Sequence, residues 1–459
     1  MKVNKKDFGD DFIWGVSTAA YQIEGAHNLD GKGPSIWDVF SNRKRKIAGS
    51  HNGNHACNFY HQYQDDLSLM KAMNIQNFRF SLSWPRILPN GVDQVNQKGL
   101  DYYDRLIDQC LKHEIEPWVT LYHWDLPHIL EQKGGWTNRD IQHWFMNYVD
   151  ICTRKFGDRV KHWMVLNEPM VFTGAGYFLG VHAPGRIGLK NFLAATHHAA
   201  ICQSQGAWVV KSNCKNATIG TTFSCSYLEP ATESLKDKLA TKRFDALLNR
   251  LFIEPSLGLG YPIHDLKFLN RIHDYFKPGD EALLPFHFDF IGVQNYTREI
   301  VSHSYLVPYL QAKLIKASKR KVPSTLMNWE IYPQSIYHML KKFDAYENVK
   351  RIVVTENGAA FTDHFVEGNI QDKQRVNFLN DYINQLLLAK KEGVAVDGYF
   401  VWTFLDNFEW AEGYFPRFGL VHVDFKTQKR TIKESGYWYS QFISDEKVSS
   451  RIQDIHAKY

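Results

Sequence analysis

The 459-residue sequence has six cysteines, Cys57, Cys110, Cys152, Cys202, Cys214 and Cys225, and no Cys-x-x-Cys pair among them. Scattered in a chain this long, they read as reduced, partly buried thiols and not as a disulfide framework. No His-Glu-x-x-His occurs either. His51, His55 and Cys57 lie in the Gly/Asn-rich "HNGNHAC", and His197–His198 read as helix-packing or surface residues, so no metal or cofactor is expected. No Gly-x-Gly-x-x-Gly follows a first strand, which removes the dinucleotide fingerprint. No run of about 18 apolar residues exists, and the charged start "MKVNKKDFGDDFIWG" lacks an apolar signal core. A soluble cytoplasmic protein with no membrane partner is the expectation. Charge of one sign is also missing: 54 Lys+Arg against 49 Asp+Glu leaves +5, too little to imply a polyanion partner. The basic runs "NRKRK" at 42–46 and "KASKRK" at 316–321 read as solvated loops, so no nucleic acid is expected.

What is present is an ordinary globular composition, 44% hydrophobic and 22% charged. Aromatics reach 14%, with 13 Trp and 23 Tyr, whose flat faces serve cores and also stack on sugar rings. Single cores usually split beyond roughly 250–300 residues, but a (β/α)8 barrel with long loops exceeds that as one unit. Eight short segments rich in β-branched and aromatic residues read as strands: 12–20, 78–84, 116–124, 162–168, 218–226, 288–296, 351–356 and 397–404. Between them run helical patterns such as 102–114 and 375–393, the latter stopped by Gly393. Strand alternating with helix implies parallel pairing, and eight repeats imply closure. No Pro/Ser-rich linker divides the chain, so residues 1–459 are expected to form one α/β domain, a (β/α)8 TIM barrel with long βα loops. An open doubly wound sheet is the alternative architecture, and it lacks its glycine fingerprint.

Functional residues of such a barrel gather at the C-terminal ends of its strands. Those ends carry Gln22 and Glu24, Arg79, His123–Trp124, Asn167–Glu168, Tyr296, Glu356, Trp402 and Glu409–Trp410. A carboxylate at a barrel mouth costs several kcal/mol unless paired. One such Glu is commonly a salt-bridged residue; two, each ending a strand in "LNEP" and "VTENG", suggest chemistry. Acetal cleavage needs a proton donor for the leaving oxygen and a partner for an oxocarbenium-like carbon. Two carboxyl groups about 5–5.5 Å apart supply both by the retaining route. Arg79 and Tyr296 are the candidates for keeping Glu356 ionised.

The runs "FIWGVSTAAYQIEGA" (12–26), "FRFSLSWPRILPNG" (78–91), "TLYHWDLP" (120–127), "LNEP" (166–169), "GVHAPG" (180–185), "VTENG" (354–358) and "FLDNFEWAEGYFPRFGLVHVDF" (404–425) resemble family 1 glycoside hydrolases of the β-glucosidase type over nearly the whole chain. The resemblance implies Glu168 as acid/base and Glu356 as nucleophile. It implies Gln22, His123, Trp124, Asn167, Trp402, Glu409 and Trp410 as the sugar-binding set, Trp329 as an aglycone-side platform, and a cis Trp402–Thr403 peptide. Relatives acting on 6-phosphorylated sugars carry Ser, Lys and Tyr where this chain has Glu409, Pro416 and Phe418, so an unphosphorylated small-molecule β-glucoside is implied. Thioglucosidase relatives replace the acid/base with Gln, and receptor-like relatives lose one carboxylate; both are present here. Departures from the family pattern are Asn54, Val165, Gln294 and Asn295. The activity implied is exo-acting hydrolysis through a covalent glycosyl-enzyme, with β-galactosidase or β-fucosidase side activity. The alternatives are transglycosylation on the same site and a non-catalytic glycan-binding barrel. Aglycone contacts are expected from the loops 174–190 and 300–330.

Overall fold

The computed structural model describes residues 3–444; the ends of the expected 1–459 unit lie outside the described residues. Eight parallel strands form the centre: β1 (Ile13–Ser17), β2 (Asn77–Ser81), β3 (Glu116–Tyr122), β4 (His162–Asn167), β5 (Thr218–Pro230), β6 (Phe290–His303), β7 (Ile352–Asn357) and β8 (Val396–Trp402). Each pairs with the next, and β8 returns to pair with β1 from Ile13–Gly398 to Ser17–Trp402, so the sheet closes. Helices α1 (Phe59–Ala72), α2 (Gln97–Lys112), α3 (Ile141–Phe156), α4 (Leu189–Asn213), α5 (Leu235–Asp245), α6 (Gln334–Asp344), α7 (Lys373–Lys391) and α8 (Glu434–Ser444) follow the strands in turn. The closed (β/α)8 barrel replaces the open-sheet alternative.

The expected strands are all present, with shifted ends. β1 stops at Ser17 because Ala20–Ile23 turns into a short helix, and Glu168 lies just beyond β4 instead of within it. β5 and β6 run on past the barrel as a paired extension from Tyr227–Arg298 to Pro230–Val301, so residues 300–303 are strand and not loop. α2 starts earlier than expected and ends at Lys112. α7 ends at Lys391, with basic Lys390 and Lys391 in its last turn and Gly393 at φ +92°, the left-handed geometry that stops a helix at little cost. The run 316–321 contains a helical turn, Ala317–Arg320, whose Arg320 is held by Glu330 at 2.8 Å. All six cysteines are unpaired and fully buried. His197 and His198 are core residues of α4: His197 meets Asp280 at 2.8 Å and His198 meets the Trp136 carbonyl at 2.9 Å. His51 accepts from the Tyr414 N–H at 3.0 Å and His55 is exposed, so the "HNGNHAC" side chains do not converge.

Inside the barrel the side chains are layered. Trp118, Met164, Phe290, Val353 and Phe400, with Ile13 against them, plug its lower half. A polar layer follows, and two strand irregularities create it. On β4, the register passes from Met164–Gly220 to Asn167–Thr222, one extra residue on β4, so Val165 and Leu166 both pack outward. On β7, Val293–Val354 is followed by Gln294–Glu356, again one extra residue. Strict alternation would send Asn167 and Glu356 away from the face that Met164 and Val353 occupy; a bulge reverses the sense and turns both inward.

Candidate active site

Above the polar layer lies a cavity of about 280 Å³ at the C-terminal ends of the strands. Its wall includes His123, Trp124, Glu168, Tyr296, Trp329, Glu356, Trp402, Glu409 and Trp410, all singled out in the sequence. Arg79, Asn167 and Gln22 are not on that wall. They sit fully buried behind it and act on groups that are. Three wall residues, Trp124 (φ +79°), Glu168 (φ +45°) and Trp410 (φ +46°), hold left-handed backbone that non-glycine residues adopt at a cost of about 1–3 kcal/mol. The surrounding packing holds this backbone in place: Trp410 lies 4.6 Å from Trp37 and 4.5 Å from Trp124, ring centre to ring centre. The Trp402–Thr403 peptide is cis. Gly358 is required by close approach, since a Cβ there would stand 1.8 Å from the Trp402 carbonyl oxygen.

The two central carboxyl groups have different surroundings. Glu356 Oε1 accepts from Arg79 Nη1 at 2.5 Å and Gln294 Nε2 at 2.8 Å, and Oε2 accepts from the Tyr296 hydroxyl at 2.6 Å. Burial raises this carboxyl, and the Arg79 charge and the Tyr296 and Arg79 hydrogen bonds offset only part of the rise. Glu168 is buried with far less help. Burial first and the Glu356 charge second hold it well above the usual carboxylate range, opposed by a hydrogen bond from Ser224 and the Arg79 charge. In one cavity, then, stand a carboxyl group with three donors and a second one with less help whose pKa is raised further. Glu409 is also raised, to about 8, by burial and then by Glu356, against hydrogen bonds from the Trp402 side chain and Gln22.

The polar layer sets the remaining groups. Asn167 Oδ1 accepts from Arg79 at 2.5 Å, Gln294 at 2.8 Å and Thr222 at 3.0 Å, so its Nδ2 is the donor toward His123 Nε2 at 2.9 Å. Burial, followed by the Arg79 charge, drives His123 well below the usual histidine range, so its ring is neutral. With Nε2 accepting, the network assigns the proton to Nδ1, which has no partner among the described residues. Gln22 Nε2 donates to the Phe408 carbonyl at 2.9 Å, and its buried Oε1 has no partner among the described residues. One donor on the wall residue His123 and one acceptor on Gln22, just behind the wall, are thus without a partner among the described residues, with Gln22 Nε2 3.5 Å from Glu409. Trp124 spends its N–H on the Asn167 carbonyl at 2.8 Å, which leaves its face for packing and for the cavity. Trp329 packs beside Tyr296, with ring centres 5.2 Å apart.

Sequence reading missed Gln294 as a working residue, together with Thr222 and Ser224. Gln294 stands where the family pattern has Asn, a departure that keeps the amide, is longer by a methylene and bears on the nucleophile's surroundings. Its longer side chain bridges Asn167 and Glu356 at 2.8 Å each. Thr222 and Ser224 lie in the barrel part of β5, ahead of its extension from Tyr227, and β5 is the one strand that contributed no residue to the expected site. Asn295, the other departure, is structural and donates to Ser335 Oγ at 2.8 Å and the Cys225 carbonyl at 3.0 Å.

The sequence model of glycosyl hydrolase family 1 matches residues 4–448. Beta-glucosidase A of Thermotoga maritima is 42% identical over 445 residues, covering 96% of this chain and 99% of the relative. The 1,4-beta-D-glucan glucohydrolase of Thermotoga neapolitana is 42% identical over 442 residues, covering 96% and 99%. Among solved structures, a family 1 b-glucosidase from Thermotoga maritima superposes with a TM-score of 0.92 at 41% identity, over 95% of this chain and 98% of the other. Similarity of this depth, over essentially the entire length of both partners, makes the chain a member of glycosyl hydrolase family 1.

Proposed function

We propose that this chain is a retaining exo-β-glycosidase, a β-glucosidase acting on unphosphorylated β-D-glucosides, with β-galactosidase or β-fucosidase side activity. Glu168 is the acid/base and Glu356 the nucleophile. The observation that carries this reading is a pair of buried carboxyl groups on one cavity, one held by three donors and the other, with fewer, raised by burial and by its neighbour's charge. In the first step the Glu168 proton moves to the glycosidic oxygen as the C1–O bond breaks, and a Glu356 oxygen bonds to C1, giving a glycosyl ester. Glu356 then no longer carries the charge that raises Glu168, so Glu168, having given its proton to the leaving group, is favoured as the carboxylate that the second step needs. In the second step Glu168 takes a proton from water, which attacks C1 and frees Glu356. His123 Nδ1–H, Gln22 Oε1, Glu409 and the remaining Asn167 N–H are suited to the sugar hydroxyls, with Trp402, Trp124 and Trp410 as apolar surfaces. Trp329 serves the leaving-group side.

The reading extends to one functional domain across the chain and to a cytoplasmic setting; the latter is supported by six buried, unpaired thiols. No described helix is long and apolar enough to cross a membrane. Hydrolysis of 4-nitrophenyl β-D-glucoside tests the proposal. Glu356→Ala is expected to abolish turnover, and Glu168→Ala to slow deglycosylation by about 10²–10⁴-fold with recovery by added azide. An inactive wild type, an active Glu356→Ala, or absence of azide rescue would each overturn its part of the assignment.

A further inference from the structure

The cavity wall carries five glutamates, Glu168, Glu299, Glu356, Glu409 and Glu412, and among the described residues no lysine or arginine. Glu168, Glu356 and Glu409 belong to the chemistry and sugar grip above. Glu412 is solvent-exposed at the rim. Glu299 is different. It is half-buried, lines the cavity, and its carboxylate has no hydrogen bond or ion pair among the described residues. The cations nearest it are already taken. Arg298 holds Glu330 at 2.8 Å and Glu229 at 2.6 Å, and Arg320 holds Glu330 at 2.8 Å. Burial raises the Glu299 carboxyl to about 7, with Arg320 opposing and Glu330 adding.

Its place in the chain says which end of the substrate it faces. Tyr296, on the same strand, touches Glu356 and so marks the bond to be cleaved. Glu299 is farther out on the β5–β6 extension, roughly 10 Å along at about 3.3 Å per residue. One extra residue on β6 between Asn295 and Arg298 lets Tyr296, Thr297 and Glu299 all reach the cavity. That is the leaving-group side, which Trp329 also lines. A cavity-lining carboxyl with no protein donor is free to accept from a ligand's hydroxyl or ammonium group.

Resting on the β-glycosidase reading, we propose that Glu299 is a specificity-determining residue for the leaving group: it accepts hydrogen bonds from hydroxyl or ammonium groups there and disfavours anionic ones. The site therefore takes β-glucosides whose leaving group is a polyol, such as a second sugar, or a cation. The test compares kcat/KM for four substrates in wild type, Glu299→Gln and Glu299→Ala. They are cellobiose, 4-(aminomethyl)phenyl, 4-carboxyphenyl and 4-nitrophenyl β-D-glucosides. In both variants, kcat/KM for cellobiose or the aminomethyl glucoside, divided by that for the nitrophenyl glucoside, is expected to fall about tenfold, chiefly through KM. The ratio for the carboxyphenyl glucoside is expected to rise. A fall for cellobiose alone identifies hydroxyls as the donors; a fall for the amine alone identifies a cation. All four substrates changing in step, or none changing, overturns the proposal. A wild type inactive on every glucoside instead overturns the glycosidase reading beneath it.

Discussion

Tyr296→Phe removes one atom from the site and leaves the ring that Trp329 and Phe418 pack against, with ring centres at 5.2 and 6.4 Å. The atom lost donates to Glu356 Oε2 at 2.6 Å, while Arg79 and Gln294 both bond Oε1. Oε2 is then left without a donor. A hydrogen bond to a charged group contributes about 1.5–3 kcal/mol, or roughly 10- to 100-fold in a rate that depends on it. The dependent rate is deglycosylation, where Glu356 leaves C1 as the carboxylate that the tyrosine stabilised. The expected outcome is a kcat lowered by that factor, with a pre-steady-state burst of 4-nitrophenol as glycosyl-enzyme accumulates. The sign of the pH effect follows from the same bond. Tyr296 lowers the Glu356 pKa, so its loss raises it, and the acidic limb of kcat/KM moves to higher pH. Unchanged thermal unfolding would show the fold intact. A kcat within twofold of wild type and an unmoved acidic limb would refute the role given to this hydroxyl.

Phosphorylation of the substrate is expected to defeat binding, because a dianion would enter a glutamate-lined cavity with no lysine or arginine among its described lining to pair with it. kcat/KM for a 6-phosphorylated aryl β-glucoside should be at least about 100-fold below that for its parent, and comparable values would contradict the charge argument. Gly358→Ala would drive a methyl into the Trp402 carbonyl, 1.8 Å from the ideal Cβ. A loss of about 1–3 kcal/mol in denaturant unfolding with a marked fall in activity is expected, and a wild-type phenotype would show the two backbones free to part. Asp280→Asn tests the α4 anchor. Burial alone would raise Asp280, but Arg139, the Lys277 N–H and His197 outweigh it and depress its pKa strongly. A depressed carboxylate contributes stability above its unfolded pKa of about 3.9 and loses it as pH falls through the folded value. The variant should be less stable by about 1.5–3 kcal/mol at pH 7, with the gap closing only well below pH 4. A gap independent of pH would exclude the ionised carboxylate as its source.

The barrel was legible because each strand is a short β-branched or aromatic run ended by polar residues, and because β1 and β8 needed no special signal to close once eight units were present. The two carboxylates were legible from the strand-end rule and the "NEP" and "TENG" runs. Their inward aim was not. Period-two alternation sends Glu356 to the wrong face if Val353 points in, and only the extra residue on β7 corrects it. Bulges leave no mark in composition. Gln294 was opaque for another reason: its significance lies in reaching Asn167 and Glu356 at once, and those residues are far from it in sequence. Glu299 looked like any surface glutamate, since being unpaired is a property of its neighbours' commitments and not of its own sequence context.

Ring closure has a consequence for synthesis. Gln22 comes from just after the first barrel strand, yet its amide is held by the Phe408 carbonyl and stands beside Glu409, and β1 finds one of its two neighbours only in β8. A ribosome must therefore release almost the entire chain before the first stave has both partners. Every shorter nascent product would carry exposed sheet edges and half a sugar grip, so enzymatic competence arrives in a single late event instead of growing with length.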